Sequence, residues 1–168
     1  MDNELSDRLR LVEDRLEILD ILAGSPFSSD VAYAPYQNAI YSPNAVLDRD
    51  EGLPLYEGRD EIVGIIEGER HLGAIADGMA HIMSLPLVRI DGTRAVATCY
   101  VQVLVRNKSG ENESLADYPD FPGLRIWRLT ANRFELERGE NGWQVVKRVI
   151  RPVPDVPARD LLRRSMTD

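Results

Sequence analysis

The first apolar pattern along the chain is helical. Leu9, Val12, Leu16, Leu19 and Leu22 or Ala23 recur at three- and four-residue steps, with Arg10, Glu13, Asp14 and Glu17 on the other faces. The spacing predicts an amphipathic helix over 5–23, closed by Gly24, Ser25 and Pro26. A short polar stretch holding Asp30 follows. Pro35 suits the first turn of a small helix through Tyr41, broken by Ser42-Pro43-Asn44. Residues 45–48 read as a short strand and 52–58 as turn and extended chain. Asp60 and Glu61 complement the dipole of a helix starting near Arg59, to which Ile62, Ile65 and Ile66 give an apolar face. Gly64 and Gly68 weaken that helix by ~1 kcal/mol each relative to alanine, so it depends on packing.

From His81 onward the pattern turns to strands. Residues 85–90 and 95–106 predict a hairpin across Asp91-Gly92. A long polar loop over 107–123 carries Asp117, Tyr118, Pro119, Phe121 and Pro122, and reads as a mobile lid at a pocket rim. Two further strands, 124–138 and 143–151, are joined by Gly139-Glu140-Asn141-Gly142. The tail after Pro152, with Pro154 and Pro157, reads as an extended arm. Helices gathered on one side of an antiparallel sheet make an α+β fold. The expectation is a single domain, 1–168, with its core over about 8–151. A curled sheet with helices on its concave side encloses a cone-shaped pocket, a natural ligand site.

Alternation along the strands assigns side chains to faces. Thr98, Tyr100, Gln102 and Leu104 are expected toward the pocket. Val101, Val103, Val105 and Val145 are expected on the outside. That exposed apolar face predicts a homo-oligomer, a dimer before a trimer. Asn132 shares a face with Thr130 and Phe134. Arg148 stands among apolar strand residues, where a buried cation needs a partner such as a cavity carboxylate or an anionic substrate group. Tyr33, Tyr36 and Tyr41 are expected to pack at the mouth of the cone.

Composition narrows the function classes. The chain has 168 residues and a formal charge of −8, which argues against nucleic acid and against anionic membrane surfaces as partners. The single cysteine, Cys99, excludes an internal disulfide and a cysteine-rich metal site. Two histidines without tight carboxylate spacing make no metal-ligand set, so no metal and no cofactor is expected. The acidic opening is no signal peptide, and no run reaches membrane-spanning length, so the expected location is cytoplasmic.

Chemistry concentrates on His81, which stands where the backbone enters the sheet. Imidazole is the side chain whose ordinary pKa lets it exchange protons near neutrality. A strand-end histidine with a structural hydrogen bond is the alternative, as is helix capping by Asp30 in Ser28-Ser29-Asp30. His71 reads as a residue near a helix end, where a cation complements the dipole.

Four stretches carry a family resemblance: the opening helix ending before Asp30; Tyr41-Ser42-Pro43-Asn44-Ala45-Val46 with Gly58; His81 ahead of Val88-Arg89-Ile90-Asp91-Gly92; and Ala131-Asn132-Arg133-Phe134 leading to Gly142-Trp143. In their order and spacing the chain resembles the SnoaL-like group of the NTF2-like superfamily. Members include scytalone dehydratase, bile acid 7α-dehydratase, a dehydrochlorinase and ketosteroid isomerases. The resemblance implies that Asp30 falls on the carboxylate that orients the catalytic histidine, and that His81 falls on that histidine. Asn132 resembles a substrate-contacting asparagine and Arg148 a cavity arginine. Ser25 stands where several dehydratases carry a tyrosine, a part that Tyr33 could take. Gln102 and Leu104 stand where other members place a carboxylate.

The resemblance implies a cofactor-independent lyase or isomerase of the dehydratase, double-bond isomerase or polyketide-cyclase kind. Its substrate would be a small hydrophobic ring compound. Asn132, Arg148 and Tyr100 would hold that substrate or stabilise an enolate. The alternative is a non-catalytic ligand-binding or oligomerisation module, and a third reading is a β subunit of a ring-hydroxylating dioxygenase.

Overall fold

The computed structural model describes residues 2–50, 52–107 and 123–167. Most of the loop read as a lid lies outside the described residues. The chain opens with a long helix, α1 (Asp2–Asp30), and a short one, α2 (Ala34–Ile40). Strands β1 (Tyr41–Asp48) and β2 (Tyr56–Glu57) follow, then helices α3 (Arg59–Glu67) and α4 (Glu69–Ala76). Five strands complete the sheet: β3 (Ala80–Met83), β4 (Leu87–Asp91), β5 (Arg94–Arg106), β6 (Leu124–Gly139) and β7 (Gly142–Pro152). A last helix, α5, spans Val156–Thr167.

The seven strands form one curled sheet in the order β2-β1-β7-β6-β5-β3, with β4 also on β5. The β4–β5 and β6–β7 pairs are antiparallel hairpins across the turns at Asp91-Gly92 and Gly139–Gly142, and β5–β6 is antiparallel as well. Gly92 and Gly142 take positive φ in those turns, a conformation that costs glycine little. One relation was not legible in the sequence. β1 runs parallel to β7, with Leu47 opposite Arg148, and helices α3 and α4 and five strands intervene between them in the chain.

The core fills the space between α1 and the sheet's concave face. Ile18, Leu22, Tyr41, Phe134, Leu136, Trp143 and Val145 are nearly inaccessible there. Two polar anchors clamp α1 to the β6–β7 hairpin. Asp14 accepts from Arg138 Nη1 at 2.6 Å and from Trp143 Nε1 at 3.0 Å, and Glu17 accepts the Trp143 backbone N–H at 2.8 Å.

Four expectations are corrected. First, α1 does not stop at Gly24 but continues through Pro26 to Asp30. Proline removes a donor and normally breaks a helix. Here, neighbouring carbonyls find side-chain donors: Ser28 Oγ, Ser29 Oγ and Gln37 Nε2 donate to Ser25 O, and Tyr36 Oη to Asp20 O. Asp30 therefore ends a helix rather than capping the start of one. Second, the apolar stripe of α1 is buried only in its later half, around Leu19 and Leu22, while Leu9, Val12 and Leu16 stay exposed. Third, the faces of β5 are reversed: Val101 and Val103 point inward and are buried, Val145 likewise, and Tyr100 faces outward. The mixed polarity of the outer row had suggested a pocket, but the pocket wall on this strand is valine. Fourth, the proline-containing tail forms a helix. Ala158 and Leu161 of α5 pack on Ala131 of the sheet's outer face, and Arg89 donates to the terminal carbonyls of Ser165 and Met166, each at 3.0 Å.

Candidate active site

The last turn of α1 meets the first residues of β3 at the centre of the site. Because α1 carries on past Pro26, Asp30 arrives beside the backbone where His81 enters the sheet. Asp30 Oδ1 accepts from His81 Nδ1 at 2.6 Å, and Oδ2 accepts the His81 backbone N–H at 2.9 Å. Both carboxylate oxygens are thus engaged. The two side chains are about one-fifth exposed, 20% for His81 and 21% for Asp30. A carboxylate only accepts, so it holds the ring proton on Nδ1 and leaves the lone pair on Nε2.

His71 is the second imidazole of the site. Its ring lies 6.2 Å from that of His81, with the planes 19° apart. Nε2 donates to Ser29 O at 2.8 Å, which places the lone pair on Nδ1. Consecutive residues of the α1 terminus, Ser29 and Asp30, therefore fix both tautomers. The sequence reading put His71 near the end of a helix, but it lies in the first turn of α4. The chain breaks at Gly68, which is extended, so α3 and α4 are separate helices. The glycine at position 68 was the available signal.

His81 and His71 both line a cavity of about 1120 Å³ between the sheet and helices α2 to α4. Its wall is mostly apolar, with Tyr41, Leu47, Ile62, Ile65, Val101 and Val103. That is ample for a ring compound of two or three rings. Arg148 also lines it. Its guanidinium lies 4.8 Å above the Phe134 ring, while Nε and Nη2 donate to Asn132 Oδ1 at 3.0 and 2.8 Å. Asn132 is fully buried; its Nδ2 donates to Thr130 Oγ1 at 2.8 Å, which in turn donates to Val101 O at 3.2 Å. This chain fixes the amide with its oxygen toward Arg148. Burial pushes the neighbouring Cys99 thiol up to about 12, against the opposing effect of the Arg148 charge.

The structure thus brings His81 and Arg148 to the cavity wall, with Asp30 and Asn132 directly behind them. Two candidates fall elsewhere. Tyr33 is 55% exposed, because the turn joining α1 and α2 carries it outward. Tyr100 sits on the outer face of β5, 40% exposed. Tyr41 does line the cavity, and Tyr36 is spent on bracing α1. Among the described residues no cluster of three or more His, Cys, Asp or Glu is placed to hold a metal ion, and no helix is long and apolar enough to cross a membrane.

Comparison with known proteins agrees with this architecture. A crystal structure of an NTF2-like protein with a cystatin-like fold from Novosphingobium aromaticivorans superposes with a TM-score of 0.83 at 28% identity, covering 95% of this chain and 96% of that one. A second protein of that organism, named as a candidate aromatic ring hydroxylase, gives a TM-score of 0.58 at 21% identity over 84% of this chain and 90% of its own. A Streptomyces avermitilis protein of the NTF2-like family, named as a candidate dehydratase, gives 0.62 at 14% identity over 85% and 98%. At those last two identities the likeness concerns the fold. No curated protein matches the chain. The sequence profile of the SnoaL-like domain matches residues 10–149, most of the chain, and the protein belongs to that family.

Proposed function

We propose that this chain is a cofactor-independent lyase or isomerase, of the dehydratase or double-bond isomerase kind, acting on a small hydrophobic ring compound. One observation carries the reading: a carboxylate–imidazole pair, Asp30–His81, at the wall of an open and largely apolar cavity. His81 Nε2 takes the proton from a ring carbon next to a carbonyl, leaving an enolate. Asp30 compensates the charge on the imidazolium that forms. The same Nε2–H then returns the proton, either to a departing hydroxyl, which leaves as water, or to another carbon of the substrate. Arg148 faces the same cavity and presents hydrogen-bond donors to the substrate. Neither route needs an oxidant or a metal. The open cavity favours this reading over a non-catalytic module whose cone would be filled by side chains.

The test is turnover of small alicyclic hydroxyketones by the wild type and two variants. His81→Ala should lose about 10²–10⁴-fold in kcat, the usual contribution of a general acid/base. Asp30→Asn should lose less, and circular dichroism should confirm that both variants fold. Near-wild-type rates in both variants would move the chemistry away from the dyad.

A further inference from the structure

The protein as a whole carries a net charge of −8, yet among the described residues the lining of its cavity carries more cations than carboxylates. Among the described residues six arginines line it against two carboxylates, Glu61 and Asp77. Arg128 is paired with Asp50, Arg49 lies over the Tyr56 ring, and Arg70, Arg106 and Arg125 are exposed to water. Arg148, like Arg49, has no carboxylate partner among the described residues, but unlike Arg49 it is anchored on a fully buried side chain, Asn132. Arg148 is partly buried on β7, and its hydrogen-bond partner among the described residues is a neutral amide, Asn132 Oδ1. The charge of a guanidinium cannot be shed by deprotonation. Asn132, fully buried and locked through Thr130 and Val101, supplies a dipole but no counter-charge.

The geometry around Arg148 also defines what is missing. Phe134 covers one face of the guanidinium, and Asn132 occupies its Nε side. The Nη1–Nη2 edge remains, the edge that receives a carboxylate through two parallel hydrogen bonds. We propose that the natural substrate carries a permanent carboxylate, seated on this edge, with its ring against the valine and isoleucine wall. The Nη1–Nη2 edge of one guanidinium offers two parallel donors, which match the two oxygens of a carboxylate. The position of the reacting carbon at His81 rests on the dyad reading above; the anion seat does not.

Binding measured by calorimetry separates the two. The probes are 2-naphthoate and its neutral counterpart of the same shape, 2-naphthamide. The wild type should bind the naphthoate about ten-fold or more tightly than the amide, the usual worth of a charge-assisted pair. Arg148→Gln should abolish the preference. Asn132→Asp should abolish it as well, by giving Arg148 an internal counter-ion in a side chain of unchanged size, which guards against misfolding of the arginine variant. His81→Ala should keep the preference whatever happens to turnover. Equal affinities in the wild type, no naphthoate binding up to millimolar concentration, or a preference that survives Arg148→Gln would overturn the proposal.

Discussion

Cys99 shows how the site's residues differ in what they can do. It sits opposite Asn132 across the β5–β6 pair, on the cavity-facing side of the sheet, but is nearly inaccessible. Burial raises its thiol to about 12, so essentially no thiolate exists at neutral pH and the residue is packing, not a nucleophile. Iodoacetamide at about pH 8 should therefore leave the native protein unmodified and alkylate it fully after unfolding in urea, read by mass spectrometry. Rapid native alkylation would mean that the sheet opens at this point. By contrast, Asp30 and His81 were legible through the family pattern, because the pattern depends on residues that need not be neighbours in sequence. Arg148 and Asn132 were legible as individuals, but not as a pair. Their contact depends on β6–β7 register, where a shift near Glu135 and Leu136 changes which residues align. Tyr100 was misplaced because period-two alternation gives two faces and does not say which is inward.

At the scale of elements, strands with turn signals between them were readable, and so were the helix starts at Pro35 and Arg59. The failures lie where tertiary contacts override local preference. Gly24-Ser25-Pro26 has the composition of a helix stop, yet α1 passes through it because α2 supplies the donors that the turn needs. Gly24 then serves a different purpose: a Cβ there would collide with the Tyr36 hydroxyl and ring. Its value is close approach of α2, not termination. Gly24→Ala gains up to ~1 kcal/mol of helix propensity but must displace Tyr36 from Asp20 O, and overpacking of this kind costs about 1–3 kcal/mol. The variant should be net less stable in urea titration. In a Tyr36→Ala background the collision is gone, and the same Gly24→Ala change should become neutral or stabilising. Destabilisation of equal size in both backgrounds would show that the glycine is needed for its backbone freedom instead.

At the scale of the whole molecule, the apolar surface available for self-association lies on residues other than the β5 valines. Val101 and Val103 of β5 are buried, Val105 lines the cavity, and part of the outer sheet face is covered by α5. Two apolar surfaces remain. On the outer face Ile82, Tyr100 and Ile126 are exposed on adjacent strands, β3, β5 and β6. On α1, Leu5, Leu9, Val12 and Leu16 form an exposed stripe at alternating four- and three-residue steps, the spacing that packs one helix against another. The same periodicity that predicted the helix thus has a use beyond the core, since only its later turns are consumed by the sheet. Water-exposed leucines in such a row are costly to leave uncovered. We expect a homodimer at micromolar concentration, with one or both surfaces in the interface. Light scattering should give twice the mass of the 168-residue chain. The substitutions Leu9→Glu and Leu16→Glu together should shift that mass toward the monomer if the helix stripe is the interface, and Ile126→Lys should do so if the sheet is. Neither should alter the circular dichroism spectrum, because these side chains make no core contact. A wild-type monomer under these conditions would contradict self-association altogether, and would leave the exposed stripe of α1 to a partner other than this chain.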